Sequence, residues 1–173
     1  MLCLIAAEAA IFVIFVVAYL FYVGKSISGP TPSVLHVPVF LTVCLLCSSW
    51  TIHRAVAALR RGETGSFARW WTSTIVLGAV FLGGTAREWQ HLIADEGLTI
   101  RTNLFGTTYY SLVGLHAFHV TAGVIALATV SLFTLFGHVK REHAARVDLV
   151  SLYWHFVDVV WIAVFMVVYV VGR

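Results

Sequence analysis

The sequence predicts an all-α protein built as a bundle of five membrane-spanning helices, and three observations support this. Of the 173 residues, 60% are hydrophobic and 11% are charged, whereas soluble domains are about 25% charged. The apolar residues form long stretches, and a helix needs about 20 of them to cross the hydrocarbon core. Because these stretches do not alternate with polar residues, helices are favoured over the strands of a closed barrel.

The predicted helices follow the apolar stretches in order, and the whole chain, residues 1–173, is predicted to be one transmembrane domain. They are residues 2–23, 34–52, 70–92, 105–136 and 149–171. The first has no basic region before it, so it is predicted to be a membrane helix rather than a signal peptide. Glycine, proline and charged residues predict loops between the helices. These loops are residues 26–32, 60–66, 97–103 and 137–143.

The distribution of lysine and arginine predicts the orientation, because cytoplasmic connections are enriched in positive charge. The connections after helices two and four carry Arg54, Arg60, Arg61, Arg69, Lys140, Arg141 and Arg146. The opposite side carries Lys25, Arg101 and Arg173. This asymmetry places the N-terminus in the cytoplasm and the C-terminus in the periplasm of a bacterial cytoplasmic membrane. The positive residues are too dispersed to follow a phosphate backbone, so no nucleic-acid partner is predicted.

Several ionisable side chains fall inside the predicted helices, where a charge costs about 2.5–3.5 kcal/mol on insertion scales. The main candidates for an interior polar network are Glu8, His116, His119, His155 and Asp158, with Glu88 and His91 as secondary candidates. Helical rise places Glu8 and His155 about 9 Å from the cytoplasmic end of their helices, and Asp158 about 14 Å from it. We therefore expect His155 and Asp158 to tie helix five to the helix of Glu8 and to the histidine pair.

Three interpretations of these polar residues remain open. Metal ligation needs more than the single Glu-x-x-His of Glu88 and His91, because a di-iron bundle uses two such motifs and two further glutamates. A proton relay is a common use of intramembrane carboxyl and imidazole groups. Hydrogen bonding between helices is the simplest interpretation and is favoured. Cys44 and Cys47 are interpreted as small apolar residues rather than as a metal pair.

Four motifs resemble subunit III of the haem-copper terminal oxidases, in its short five-helix bacterial form. Y-W-H-F-V-D-V-V-W-I, residues 153–162, resembles the signature of that family's last helix, and G-L-H-A-F-H-V-T-A-G, residues 114–123, its G-x-H-G-x-H-V helix. Residues 7–19 and 77–89 resemble two further helices of the family. Ala117 stands where the family usually has glycine, and Thr85 where it often has glutamine.

The resemblance implies a subunit that has no catalytic residue and holds no cofactor or metal of its own. Haem and copper are expected in partner subunits, with subunit I in direct contact, subunit II in the same complex, and phospholipid as a possible bound molecule. The family role is to stabilise subunit I and support proton uptake, and Glu8, His116, His119, His155 and Asp158 match its interior polar positions. The alternatives are a nitric-oxide-reductase-associated relative and an independent membrane metal or proton carrier.

Overall fold

The computed structural model describes residues 2–25 and 30–172, without the side chains of Leu2 and Ser33. Across these residues the long helices are α1 Leu2–Tyr22, α2 Val39–Arg60, α3 Thr64–Ala94, α4 Leu104–Leu135 and α5 Ala144–Phe165. Single 3-10 turns at Pro32–Val34 and Arg141–His143 precede α2 and α5, and a π-helical segment, Met166–Val171, continues α5. Residues 26–29 of the first predicted loop, and the positive residue Arg173, lie outside the described residues.

The all-α prediction is confirmed, and α1 and α4 end within one residue of their predicted bounds. The prediction for α2 was wrong at both ends. The helix begins at Val39 rather than at residue 34, since Pro38 disfavours helical backbone in the residue before it. It continues to Arg60 rather than residue 52 because the segment is rich in alanine, the strongest helix former.

The connection between α2 and α3 is much shorter than the predicted loop. Gly62 ends α2 with a positive φ of 80°, a conformation that glycine adopts without steric cost. The amide of Glu63 then donates to the carbonyl of Ala58 at 3.0 Å, which closes the helix end as a Schellman motif. The two helices therefore form a tight antiparallel hairpin. α3 and α5 also begin earlier than predicted, at Thr64 and Ala144.

The helices α2, α3, α4 and α5 form a closed ring in which each packs against its two neighbours. The ring closes because α5 contacts α2 as well as α4. α1 lies outside this ring and contacts α4 and α5. Its outward face is apolar and exposed, as at Ile14 and Val17. Such a face suits lipid or another apolar helix, because only part of α1 is covered by its own chain.

The indole of Trp154 lies at the centre of the ring, between α3 and α4. A Cβ atom at Gly78 would lie 2.7 Å from this indole, and one at Gly123 would lie 2.8 Å from it, so only glycine fits at either position. The indole N–H donates to Ser48 Oγ of α2 at 2.8 Å. One buried α5 side chain thus contacts three other helices, as small residues at helix interfaces permit.

Four of the described helices are long and apolar enough to cross a membrane: α1, α2, α4 and the segment that contains α5. α3 is not among them. Its 31 residues include Gly78, Gly83, Gly84 and several serine and threonine residues, which lower its hydropathy. Its hydroxyl groups are partly satisfied within the bundle, since Thr74 Oγ1 lies 2.8 Å from Thr51 Oγ1 of α2.

Candidate functional site: two interior polar clusters

Glu8 of α1 and His119 of α4 form the first polar cluster. The carboxyl Oε2 atom of Glu8 lies 2.9 Å from Nε2 of His119, and the two side chains are 26% and 6% exposed. Phe12, one helical turn beyond Glu8, packs on the imidazole ring with a centroid separation of 5.0 Å. This contact joins the peripheral helix α1 to the ring of four helices.

The hydrogen bonds of His119 determine how many protons the pair holds. Its Nδ1 atom lies 2.7 Å from the carbonyl oxygen of Leu115, and a carbonyl can only accept, so Nδ1 carries a hydrogen. The bond between Nε2 and Glu8 then contains a single proton, which belongs either to the carboxyl group or to the imidazole. In both arrangements the pair has no net charge, which suits a partly buried position.

Ser49 of α2, with His155 and Asp158 of α5, forms the second polar cluster. The Ser49 hydroxyl donates to Oδ2 of Asp158, and its oxygen lies 3.0 Å from Nδ1 of His155. Asp158 is 3% exposed. Its other oxygen, Oδ1, is buried without a hydrogen-bond partner among the described residues. The cluster therefore links α2 to α5 and leaves one carboxyl oxygen unsatisfied.

The structure corrects the expectation of one shared cluster. His155 and Asp158 bond to Ser49 of α2, while Glu8 bonds to His119 of α4. Similar depth along two helices does not bring side chains together unless they also point toward the same interface. The described link between α5 and the first cluster is Tyr153, whose hydroxyl donates to the carbonyl of His119 at 3.3 Å.

His116 belongs to neither cluster. It is fully buried, and neither ring nitrogen has a hydrogen-bond partner among the described residues. Trp161 stacks on the imidazole with ring centroids 4.9 Å apart, and Phe81 meets it edge-on at 5.8 Å. An imidazole in this aromatic enclosure is uncharged, because burying an unpaired cation costs far more than losing a proton.

The secondary candidates, Glu88 and His91, lie toward the far end of α3 and do not bind each other in the described structure. Glu88 lies 3.7 Å from Nδ1 of His36, and His91 lies 3.6 Å from Asp95. Across residues 2–25 and 30–172, no three or more His, Cys, Asp or Glu side chains are grouped so that they could hold a metal ion.

A cavity of about 510 Å³, lined by both polar and apolar side chains, lies beside the second cluster, between the C-terminal half of α2 and the N-terminal half of α5. Its polar lining comes from His53, Arg60, Asp148, Ser151 and His155. Arg60 and Asp148 form an ion pair at 2.8 Å, and their side chains are 60% and 47% exposed, so the cavity is open at the surface of the chain. His155 is the residue shared by the cavity and the second cluster.

The chain matches a known protein family over nearly its whole length. The family model for "Cytochrome c oxidase subunit III" matches residues 3–173, nearly the whole chain. The chain belongs to this family. Members of the family are non-catalytic subunits of haem-copper oxidases.

Curated relatives carry the same name. A Corynebacterium diphtheriae "Cytochrome c oxidase subunit 3" is 40% identical over 137 residues, which is 78% of this chain and 66% of the relative. A Synechocystis protein of that name is 38% identical over 170 residues, 95% of this chain and 71% of the relative. A protein of that name from Alkalihalophilus pseudofirmus is 32% identical over 171 residues, 97% of this chain and 83% of the relative. The chain thus spans just under two thirds of the first of these relatives.

Sequence reasoning missed Ser49, which bridges His155 and Asp158 in this subunit III family member. A serine in an apolar helix carries no distinctive signal, since it is also a frequent small residue at helix interfaces. A useful signal was available in its neighbour: Ser48 and Ser49 are adjacent polar residues within the apolar stretch of residues 34–52. Ser48 accepts from Trp154 and Ser49 bonds to the second cluster, so both hydroxyls face α5.

Proposed function

We propose that this chain is the non-catalytic subunit III of a bacterial haem-copper terminal oxidase in aerobic respiration. It crosses the cytoplasmic membrane five times, with its N-terminus in the cytoplasm and its C-terminus in the periplasm. It packs directly on subunit I, shares the complex with subunit II, and contacts membrane lipid. Haem and copper reside in those partner subunits. The names of the relatives support cytochrome c as the electron donor of the parent enzyme.

The pairing of the interior polar groups between helices carries the structural part of this proposal. Glu8–His119 joins α1 to α4, and Ser49–Asp158 joins α2 to α5. Groups used in this way fix the relative positions of helices and are not arranged to bind a cofactor. The subunit therefore acts as a rigid neighbour that stabilises the catalytic subunit and supports its proton uptake.

Purification tests the assembly. The tagged full chain, extracted in mild detergent, should co-elute with a haem-bearing subunit, and the haem spectrum should follow that subunit. Elution with a nitric oxide reductase, or as a solitary metal-containing protein, would replace this proposal with one of the two alternatives.

Mutation of Glu8 tests the supporting role. In Glu8→Ala, the first turnovers and the haem content should match the wild type, while activity should decay faster during turnover or the subunit should dissociate more readily. Glu8→Gln is the matched control, since its amide can still donate to His119 Nε2. Loss of the first turnovers in an intact Glu8→Ala complex would show instead that Glu8 takes part in catalysis.

Reporter fusions test the orientation. Fusions after Arg61 and after Lys140 should report the cytoplasm, and a fusion after Arg173 should report the periplasm. The reverse pattern would contradict the charge argument and the proposed direction of all five helices.

A further inference from the structure

The cavity between α2 and α5 leads toward a buried carboxyl group. Its volume of about 510 Å³ is many times the share of one water molecule, which is about 30 Å³ in the liquid. Its rim carries exposed charged groups and its wall includes the half-buried His155. Because the lining offers several donors and acceptors, ordered water is a suitable occupant.

A continuous hydrogen-bonded path connects this cavity to Asp158. Nδ1 of His155 lies 3.0 Å from Ser49 Oγ, and Ser49 Oγ bonds to Asp158 Oδ2. Nε2 of His155 has no hydrogen-bond partner among the described residues, so it is the ring nitrogen available to water in the cavity. A hydroxyl group both donates and accepts, so Ser49 can accept from either neighbour and donate to the other.

Asp158 has no cationic partner among the described residues, although several ionisable groups lie on helices packed against α5. α2 contributes His53 and Arg60, α4 contributes His116 and His119, and α1 contributes Glu8; α5 itself contributes Asp148 and His155. Arg60 pairs with Asp148, Glu8 pairs with His119, and His116 is enclosed by aromatic rings. The described hydrogen-bond partner of Asp158 is the neutral Ser49. An ionised Asp158 would be an unpaired buried charge, which strongly favours binding a proton.

We propose that Asp158 is a proton-binding site that exchanges protons with the cavity through His155 and Ser49. In the unloaded state, His155 Nδ1–H donates to Ser49, and Ser49 donates to the Asp158 carboxylate. In the loaded state, Asp158 Oδ2–H donates to Ser49, and Ser49 donates to His155 Nδ1, while Nε2 carries a hydrogen.

The loaded state holds one proton more than the unloaded state. A hydronium ion in the cavity gives a proton to His155 Nε2 and becomes water, as the Nδ1 proton moves to Ser49 Oγ. The original Ser49 proton moves to Asp158 Oδ2. Each of the three groups gains one O–H or N–H bond; His155 and Ser49 each also lose one, and no electron is transferred. The histidine changes tautomer and the aspartate becomes neutral.

The proton site itself requires only this chain, while its use as a proton reserve beside the oxidase rests on the proposed function. The cavity lies at the end of the bundle that carries Arg60 and Arg61, which the charge distribution assigns to the cytoplasm. The site would then take protons from the same side as an oxidase that consumes cytoplasmic protons.

Infrared spectroscopy after a light-triggered proton release measures the loading directly. The purified full chain in its complex is expected to show a carboxylic C=O band that rises after the pulse and shifts in heavy water. Asp158→Asn should remove this band. Ser49→Ala and His155→Gln should slow its rise by about 100-fold or more, a typical effect for a positioned proton-transfer group.

Two controls separate transfer from folding. Ser49→Thr keeps the hydroxyl and should restore the fast rise, and Ser73→Ala, at an exposed serine of α3, should leave it unchanged. A band that rises equally fast without Ser49 and His155 would overturn the route. A complex without any band that depends on Asp158 would overturn the site.

The haem spectrum of the same preparations distinguishes failure of the site from failure of the proposed function. A haem-containing complex in which Asp158 takes up no proton contradicts only the proton site. A chain that loads Asp158 but elutes without a haem-bearing subunit contradicts only its assignment to an oxidase.

Discussion

The two polar clusters use similar side chains, but a proton transfer changes the net charge of only the second. In the Glu8–His119 pair, one proton is shared between two ionisable groups, so its transfer leaves the net charge at zero. In the Ser49–His155–Asp158 cluster, the central group is a hydroxyl, and a proton gained or lost at the carboxyl changes the net charge. The first cluster lies between α1 and α4, whereas the second adjoins a cavity with polar side chains in its lining.

This difference shows that residue type alone does not assign a role to an intramembrane carboxyl group. Glu8 has a cation-forming partner within 2.9 Å, so its environment favours a fixed contact between helices. Asp158 has a neutral partner and an unsatisfied oxygen, so its environment favours proton exchange. The number and kind of neighbours therefore distinguish a structural pair from a proton site.

Breaking the first cluster should have the largest effect on stability. His119→Ala removes the partner of Glu8 and the ring that packs on Phe12, which should cost about 3 kcal/mol from an unsatisfied group and lost packing. Glu8→Gln retains a hydrogen bond to His119 and should cost about 1 kcal/mol or less. Unfolding titrations with a denaturing detergent measure both. Equal losses in the two variants would contradict a role for the hydrogen bond.

Overpacking the contact between α4 and α5 should have the next largest effect. Gly123→Ala places a methyl group 2.8 Å from the indole of Trp154, and overpacking of this kind costs about 1–3 kcal/mol. Gly83→Ala is the matched control, since a Cβ atom there meets nothing within 4 Å. The same titrations should show a loss for Gly123→Ala and no loss, or a small gain, for the control. A loss of similar size at Gly83 would show that helix flexibility, not space, is the cause.

Neutralising the second cluster should have a smaller effect. Asp158→Asn keeps an oxygen that accepts from Ser49 and removes the potential charge, so we expect a change of less than about 1 kcal/mol. Asp158→Ala leaves Ser49 and His155 without this partner and should cost about 1–3 kcal/mol. If Asp158→Asn lowers the stability as much as Asp158→Ala does, the fold requires an ionised Asp158. The distinction between a proton site at Asp158 and a structural pair at Glu8 then no longer holds.

The smallest effect is expected at an exposed ion pair outside the membrane-spanning segments. Arg61 Nε donates to Glu63 at 2.8 Å, and this hydrogen bond lowers the pKa of Glu63 below its usual value. A lowered carboxyl pKa adds stability above the unfolded pKa, and this contribution is lost as the pH falls through the folded pKa. Because the pair lies at the surface, where ion pairs contribute little, Glu63→Gln should leave unfolding at neutral pH unchanged within error. A clear loss would mean that the pair fixes the α2–α3 turn.

The sequence was sufficient to predict the number of long helices and most of their extent, because each contains a long apolar stretch. The ends of α1 and α4 were predicted within one residue since their flanking segments contain strong turn signals. α2 could not be delimited by apolarity alone. Its last turns, around Ala55 and Ala58, are buried against α3 although they lie beyond the apolar stretch.

Which polar residues contact one another was harder to predict than which residues take part in the candidate site. Glu8, His119, His155 and Asp158 all lie in polar contacts, as expected for costly intramembrane groups. Their partners depend on the rotation of each helix about its axis, which the sequence of one chain does not specify. Ser49 and the glycines that contact Trp154 are small residues, and their importance follows from what packs against them.

The short turn at Gly62 has a consequence for how the chain enters the membrane. α3 is about 46 Å long at 1.5 Å per residue and is the long helix that is least able to insert by apolarity alone. If α3 crosses the membrane as proposed, its tight connection to α2 would let the two helices insert together as a hairpin, with Thr74 paired to Thr51. In the proposed five-crossing arrangement, lengthening residues 61–63 would separate the two insertion events, so the insertion of α3 would depend on this short connection.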